Sequence, residues 1–173
     1  PLRETLDWLN QELDKIFETH GSQYLKDVWL ARDEYIRVIL DRSEKNVREF
    51  FAKHARMPLT PEQMTVCLKL LEAQRHAMLI YTSCGWFFTE LSGIETVQVI
   101  QYAARAIQLA HEVTHLSLEE EFLQRLSLAK SNVPEFKDGR GVYERLVKPH
   151  IANIYHAAAY YAICSLFENY YSN

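Results

Sequence analysis

The sequence predicts an all-α fold, an irregular helical bundle of roughly six to eight helices. Three observations predict it. Apolar residues recur at i, i+3 and i+4 from one end of the chain to the other. Glycine and proline number five each in 173 residues, too few for the turn every ~8–12 residues that an all-β fold needs. Residues suited to helix N-termini stand just ahead of several apolar stripes. With 48% apolar and 12% aromatic residues, a sizeable core is available and disorder is excluded.

Leu2, Leu6, Leu9, Leu13, Ile16 and Phe17 mark a first helix that stops near His20-Gly21. Leu25, Val28, Trp29, Ile36, Ile39 and Leu40 form the next stripe, interrupted by Arg32. Ser43 is placed to cap a shorter helix through Val47, Phe50 and Phe51. Thr60-Pro61-Glu62-Gln63 combines an N-cap threonine, a proline at the first helical position and a glutamine that completes a capping box. Its helix runs through Val66, Leu70, Leu71, Ala77 and Met78, until Cys84-Gly85 breaks the pattern and Trp86-Phe87-Phe88 begin a short connection. Gly93 precedes a long helix with Ile94, Val97, Ile100, Ala104 and Ile107 on its inner side. Ser117-Leu118-Glu119-Glu120 reads as a second capping box, ahead of Phe122, Leu123, Leu126 and Leu128. Ser131 to Gly141, with Pro134 and Asp138-Gly139, is a loop. A short helix from Val142 to Val147 and a long apolar one from Ile151 to about Tyr170 complete the set. No self-similarity at repeat-protein periods is present, which favours a bundle over a solenoid.

Composition narrows the function. The formal net charge is −4 and no basic run exceeds two residues, which excludes a phosphate-binding nucleic-acid groove. Cys67, Cys84 and Cys164 are odd in number, with no CxxC pair, so a reducing, cytoplasmic setting is expected. Residues 1–173 read as a single helical domain, and the start at Pro1 suggests a C-terminal fragment of a larger protein. Pro149 to Phe167 carries no Asp, Glu, Lys or Arg. His150, Asn153, His156, Ser165 and three tyrosines make it too polar to span a bilayer. A helix buried in the middle of the bundle is expected there.

Several motifs carry candidate chemistry. His111-Glu112-Val113-Thr114-His115 matches H-E-x-x-H, in which two histidines one helical turn apart bind zinc and the glutamate activates water. A third ligand is required, for which Glu135 lies downstream in a loop; the pattern is fixed at only three positions, and histidines at a solvated helix C-terminus account for it without a metal. A di-iron site fails, because no second Glu-x-x-His accompanies Glu112 and His115. Cys84 has no identifiable base and reads as a structural thiol. Trp86-Phe87-Phe88, followed by Glu90, Glu95 and Gln98, is more distinctive. Aromatic faces with a few fixed polar groups hold flat, hydroxyl-rich ligands. Three rings plugging the bundle end explain the same residues without a ligand.

Ala31 to Ser43, Leu70 to Glu90, and Ser92-Gly93-Ile94-Glu95-Thr96-Val97-Gln98 resemble the C-terminal helical domain that follows the catalytic barrel in a branch of glycoside hydrolase family 57 proteins. The resemblance is clearest from Trp29 to Leu109. It implies that a β/α barrel of the same polypeptide carries the catalytic carboxylates, so no catalytic residue, metal or cofactor is assigned to this chain. It also implies a helical bundle beside the active-site mouth and an α-glucan as substrate. Ser83-Cys84-Gly85-Trp86 resembles the family's Ser-Asp-Trp motif, with Gly85 where the aspartate would stand if the serine is shifted by one. Trp86 is then a candidate sugar-stacking platform, with Phe87, Glu90 and Glu95 as candidate substrate-binding neighbours. The expected function is an accessory domain of an α-glucan-acting hydrolase or transferase. The alternatives are a helical interaction or scaffolding module without sugar contact, and a zinc hydrolase built on His111 and His115.

Overall fold

The computed structural model describes residues 1–151 and 153–166. The fold is all-α. α1 (Leu2–Gly21), α2 (Val28–Glu34), α3 (Ile36–Leu40), α4 (Glu44–His54) and α5 (Pro61–Leu79) lead to a 3-10 turn at Ser83–Trp86. α6 (Ile94–Thr114), α7 (Glu119–Leu126) and α8 (Gly139–Val142) follow. A wide turn at Tyr143–Val147 and a 3-10 turn at Lys148–His150 lead to α9 (Ile154–Ser165). α2 and α3 meet at Tyr35, which is itself right-handed helical, so they form one bent helix.

The centre is a three-helix core in which α5 and α6 pair most extensively and α1 packs on both. α6 presents Val99, Ala103, Ala106 and Ala110 to the core, small side chains that let the helix backbones approach closely. α1 contributes Leu6, Leu9, Leu13, Ile16 and Phe17, all buried. Two polar links cross this seam: buried Gln74 donates to Asp14 at 3.0 Å, and the Tyr81 hydroxyl donates to Asp7 at 2.8 Å. α7 and the Tyr143–Val147 turn close the far side, where Tyr143 donates to Glu119 at 2.8 Å.

The Thr60 capping box forms with both of its hydrogen bonds, and Ser43 and Gly93 cap their helices as expected. Three expectations differ. No Ser117 box forms: α7 begins at Glu119 behind Leu118, without a side-chain cap, and its first-turn glutamates supply the negative charge that a helix N-terminus favours. In α2–α3 the buried residues are Val28, Ala31, Tyr35 and Val38, while Ile36 and Leu40 face outward. Arg32 does not break the packing, because its guanidinium lies 4.7 Å over the Trp29 ring. The largest difference is at the C-terminal end. α9 is not buried in the bundle: Ile154, Tyr155, Tyr160, Tyr161, Ile163 and Leu166 are all exposed. Pro149 ends the preceding turn, Asn153 caps a new helix, and the core is already filled by the stripes of the earlier helices. The expected extension to Tyr170 lies outside the described residues. Among the described residues, no helix is long and apolar enough to cross a membrane.

Candidate functional site

The α5–α6 connection positions the sequence-predicted residues. The 3-10 turn lies tight against α6, with the Thr96 hydroxyl donating to the Gly85 carbonyl at 3.1 Å. A Cβ at Gly85 would overlap Val99 Cγ2. The glycine is therefore required by close approach, and an aspartate at this position has no room.

Trp86 follows on the inner side of the turn, half-buried and packed against the core. The Arg3 guanidinium stands 5.4 Å from its ring centroid and 4.5 Å from that of Tyr81, and Arg3 Nε donates to Asp7 at 2.9 Å. Trp86 Nε1 is buried without a hydrogen-bond partner among the described residues. Phe87 and Phe88 point outward, 83% and 58% exposed, with ring centroids 6.0 Å apart. The aromatic triplet thus splits into one packed ring and two displayed rings.

The two glutamates also part. Glu90 turns toward the Ser131 loop, accepting from the Ser131 hydroxyl at 2.7 Å, Asn132 N at 2.7 Å and Ser92 N at 3.0 Å. These bonds, the Ser131 hydroxyl foremost, hold its carboxyl at about 2, well below the usual carboxylate range. Glu95 instead lines an open concavity of about 340 Å³ with Thr82, Cys84, Ile94, Gln98 and Tyr102. The side chains of Thr82, Glu95, Gln98 and Tyr102 have no hydrogen-bond partner among the described residues. Neither Trp86, Phe87 nor Glu90 lines that concavity. Phe87 lies on the same turn, three residues past Cys84.

A second cluster was not anticipated. Glu72, on α5, accepts from the Tyr35 hydroxyl at 2.8 Å and Arg42 Nη2 at 2.6 Å, and pairs with Arg75 at 3.2 Å. Burial pushes the Glu72 carboxyl up, but the hydrogen bonds from Tyr35, Arg42 and Arg75 outweigh it, so it lies below the ordinary glutamate value. Burial, then Glu72, raises the Tyr35 phenol. The knot ties the Ala31–Ser43 segment to the Leu70–Glu90 segment. Its signal in the sequence is a glutamate set between Leu71 and Ala73, two residues of the buried face.

The H-E-x-x-H pattern does not assemble. α6 ends at Thr114 and His115 takes a left-handed conformation at φ 60°; its ring stays beside that of His111, centroids 6.3 Å apart, but a zinc site needs a third ligand with them. Glu112 pairs with Lys69 at 2.9 Å, and Glu135 pairs with Arg145 at 2.7 Å. Among the described residues, no group of three or more His, Cys, Asp or Glu side chains is placed to hold a metal ion.

No curated protein and no solved structure matches the chain. A family model described as a domain of unknown function, DUF3536, matches residues 1–173. That match covers every residue of the sequence, and the chain belongs to the DUF3536 family.

Proposed function

We propose that the domain is an accessory helical part of a carbohydrate-active enzyme of the glycoside hydrolase family 57 type, acting on α-glucans. In this reading it packs beside a catalytic barrel of the same polypeptide, in the cytoplasm, and performs no chemistry alone. The observation that carries it is the turn between α5 and α6. Two exposed phenyl rings stand on the turn, and the concavity beside Cys84 offers four polar side chains with unused hydrogen-bonding capacity. Apolar rings with a few fixed polar groups suit a sugar face and its hydroxyls. Phe87, Glu95 and Gln98 are the contact residues, Trp86 anchors the turn through the core and Arg3, and Glu90 fixes the Ser131 loop beside it.

In the polypeptide that joins this domain to its barrel, Phe87→Ala and Gln98→Ala should each lower kcat/KM on an α-glucan by about tenfold or more, since they remove substrate positioning. Their melting temperatures should match the wild type, because both side chains are exposed. Unchanged kcat/KM in both variants would remove the sugar-contact reading.

One observation favours a scaffolding module without sugar contact. The ring of Trp86 is packed between the core and Arg3, as a plug of the bundle end would be. In that case Trp86→Ala lowers stability while activity per folded molecule is kept.

A further inference from the structure

A cavity larger than the concavity at the α5–α6 turn lies between the α1–α2 connection, α4 and the start of α5. It is an open groove of about 580 Å³. Phe51, Met57 and Met64 are among its apolar lining residues, Lys26, Arg48 and Arg56 also line it, and no Asp or Glu does. Flexible methionine side chains adapt to varied apolar surfaces, a common feature of peptide-binding grooves.

The cations are fixed in place. Leu25 and Ala55 form an antiparallel bridge, in which Lys26 N donates to the His54 carbonyl at 2.9 Å and Arg56 N to the Tyr24 carbonyl at 2.8 Å. Arg56 Nε donates to the Leu25 carbonyl at 2.8 Å, and Lys26 Nζ to the Lys53 carbonyl at 2.8 Å. Neither Lys26 nor Arg56 pairs with a carboxylate among the described residues. An arginine held through Nε keeps its terminal nitrogens for an incoming acid. In a chain of net charge −4, two unpaired cations held beside an apolar groove mark a local reversal of the field.

We propose that this groove is a docking site for an acidic amphipathic helix of a partner protein. The groove is open to solvent, which suits a partner that brings its own cover better than a small amphiphile, which needs most of its surface buried. A helix brings its own cover: its apolar stripe meets the Phe51–Met57–Met64 surface, and flanking glutamates meet Lys26 and Arg56.

The test uses the full chain and a fluorescein-labelled synthetic helix of about 16 residues, with leucines at i, i+3, i+4 and i+7 and glutamates on the flanks. A second peptide carries lysines in place of the glutamates. Anisotropy should show that the glutamate peptide binds the wild type and weakens with salt. Lys26→Glu/Arg56→Glu should weaken it about tenfold, as exposed ion pairs turn into repulsions, and the lysine peptide should then prefer the variant. Met57→Glu, at an exposed position, should weaken the glutamate peptide without disturbing the backbone bridge. Equal binding of both peptides to the wild type, or no effect of either variant, would overturn the proposal. So would Lys26- and Arg56-dependent sedimentation with phosphatidylglycerol vesicles and no binding of the peptide, which would assign the groove to a membrane surface. Self-association lost in the double variant would assign it to a second copy.

Discussion

α1 and α9 are both rich in apolar residues, and they meet opposite fates. In α1 the buried Leu6, Leu9, Leu13, Ile16 and Phe17 fall within about 100° of arc at 3.6 residues per turn. The opposite side carries exposed Glu4, Lys15 and Glu18. In α9 the exposed Ile154, Tyr155, Tyr160, Tyr161, Ile163 and Leu166 are spread around the full circumference on the same geometry. α1 can satisfy its apolar stripe against α5 and still show water a charged face. α9 has no face to spare. Apolar content alone does not place a helix in the core; the arc over which it is concentrated does. A helix apolar on every side requires cover from more than one direction, and the bundle supplies none.

The comparison breaks most directly by truncating one residue on each side. Leu9→Ala, at a fully buried position, should cost about 2–5 kcal/mol in urea unfolding of the chain, from lost transfer energy and the cavity left behind. Ile163→Ala, 58% exposed, should stay within about 0.5 kcal/mol of the wild type. Comparable losses from the two would place α9 in the core.

A smaller effect sharpens the contrast within the core side. Glu72→Gln removes a charged acceptor shared by Tyr35, Arg42 and Arg75, and should cost about 1.5–3 kcal/mol at pH 7. The sign of its pH dependence follows from the direction of the shift. The folded carboxyl lies below its ordinary value, so the contribution is present above the unfolded pKa of about 4.3. It is lost as pH falls through the folded value. Urea titrations of wild type and variant should therefore converge as the pH is lowered below about 4. A gap that stays constant would mean that Glu72 contributes shape and not charge.

The sequence was most legible where local chemistry decides the outcome. Thr60 and Gln63 satisfy orphan backbone groups within four residues of each other, so no tertiary knowledge is needed to place the start of α5. Gly93 and Ser43 are similar, whereas α5 already ends at Leu79, and Gly85 is instead required by its close approach to Val99 in another helix. Legibility failed where distant partners decide. Tyr35 can be buried because its hydroxyl donates to the Glu72 carboxylate, and no periodicity in the α2–α3 stripe announces that bond. Glu90 and Glu95, five residues apart, read as neighbours in one candidate site; Ser131 and Asn132 claim the first, and the second lines the concavity instead. The packing of Trp86 under Arg3 is likewise invisible, because the two residues are separated by most of α1 and α5. α9 misled for a physical reason: a charge-free run satisfies the same statistics whether its cover comes from this domain or from another.

The smallest expected effect concerns the end of α6, where a metal site and a helix cap predict opposite outcomes for one substitution. His115 holds φ 60° while its N–H closes the helix onto the His111 carbonyl at 2.8 Å. This left-handed conformation costs an ordinary L-residue roughly 1–2 kcal/mol and glycine almost nothing. Glycine gives back about 0.4–1 kcal/mol through its freer unfolded chain. His115→Gly should therefore stabilise the chain by about 0.5–1 kcal/mol, the difference between those two terms, seen as a small rise in the urea midpoint with an unchanged slope. Adding zinc to metal-free protein should leave both melting curves where they were, since Glu112 is already held by Lys69 and His111 Nδ1 lies 3.1 Å from the Leu116 carbonyl. A zinc-dependent rise in the wild-type melting temperature that disappears in His115→Gly would reverse the assignment. Ligand binding to the folded state alone must stabilise it, and a capping residue has no means of producing that response.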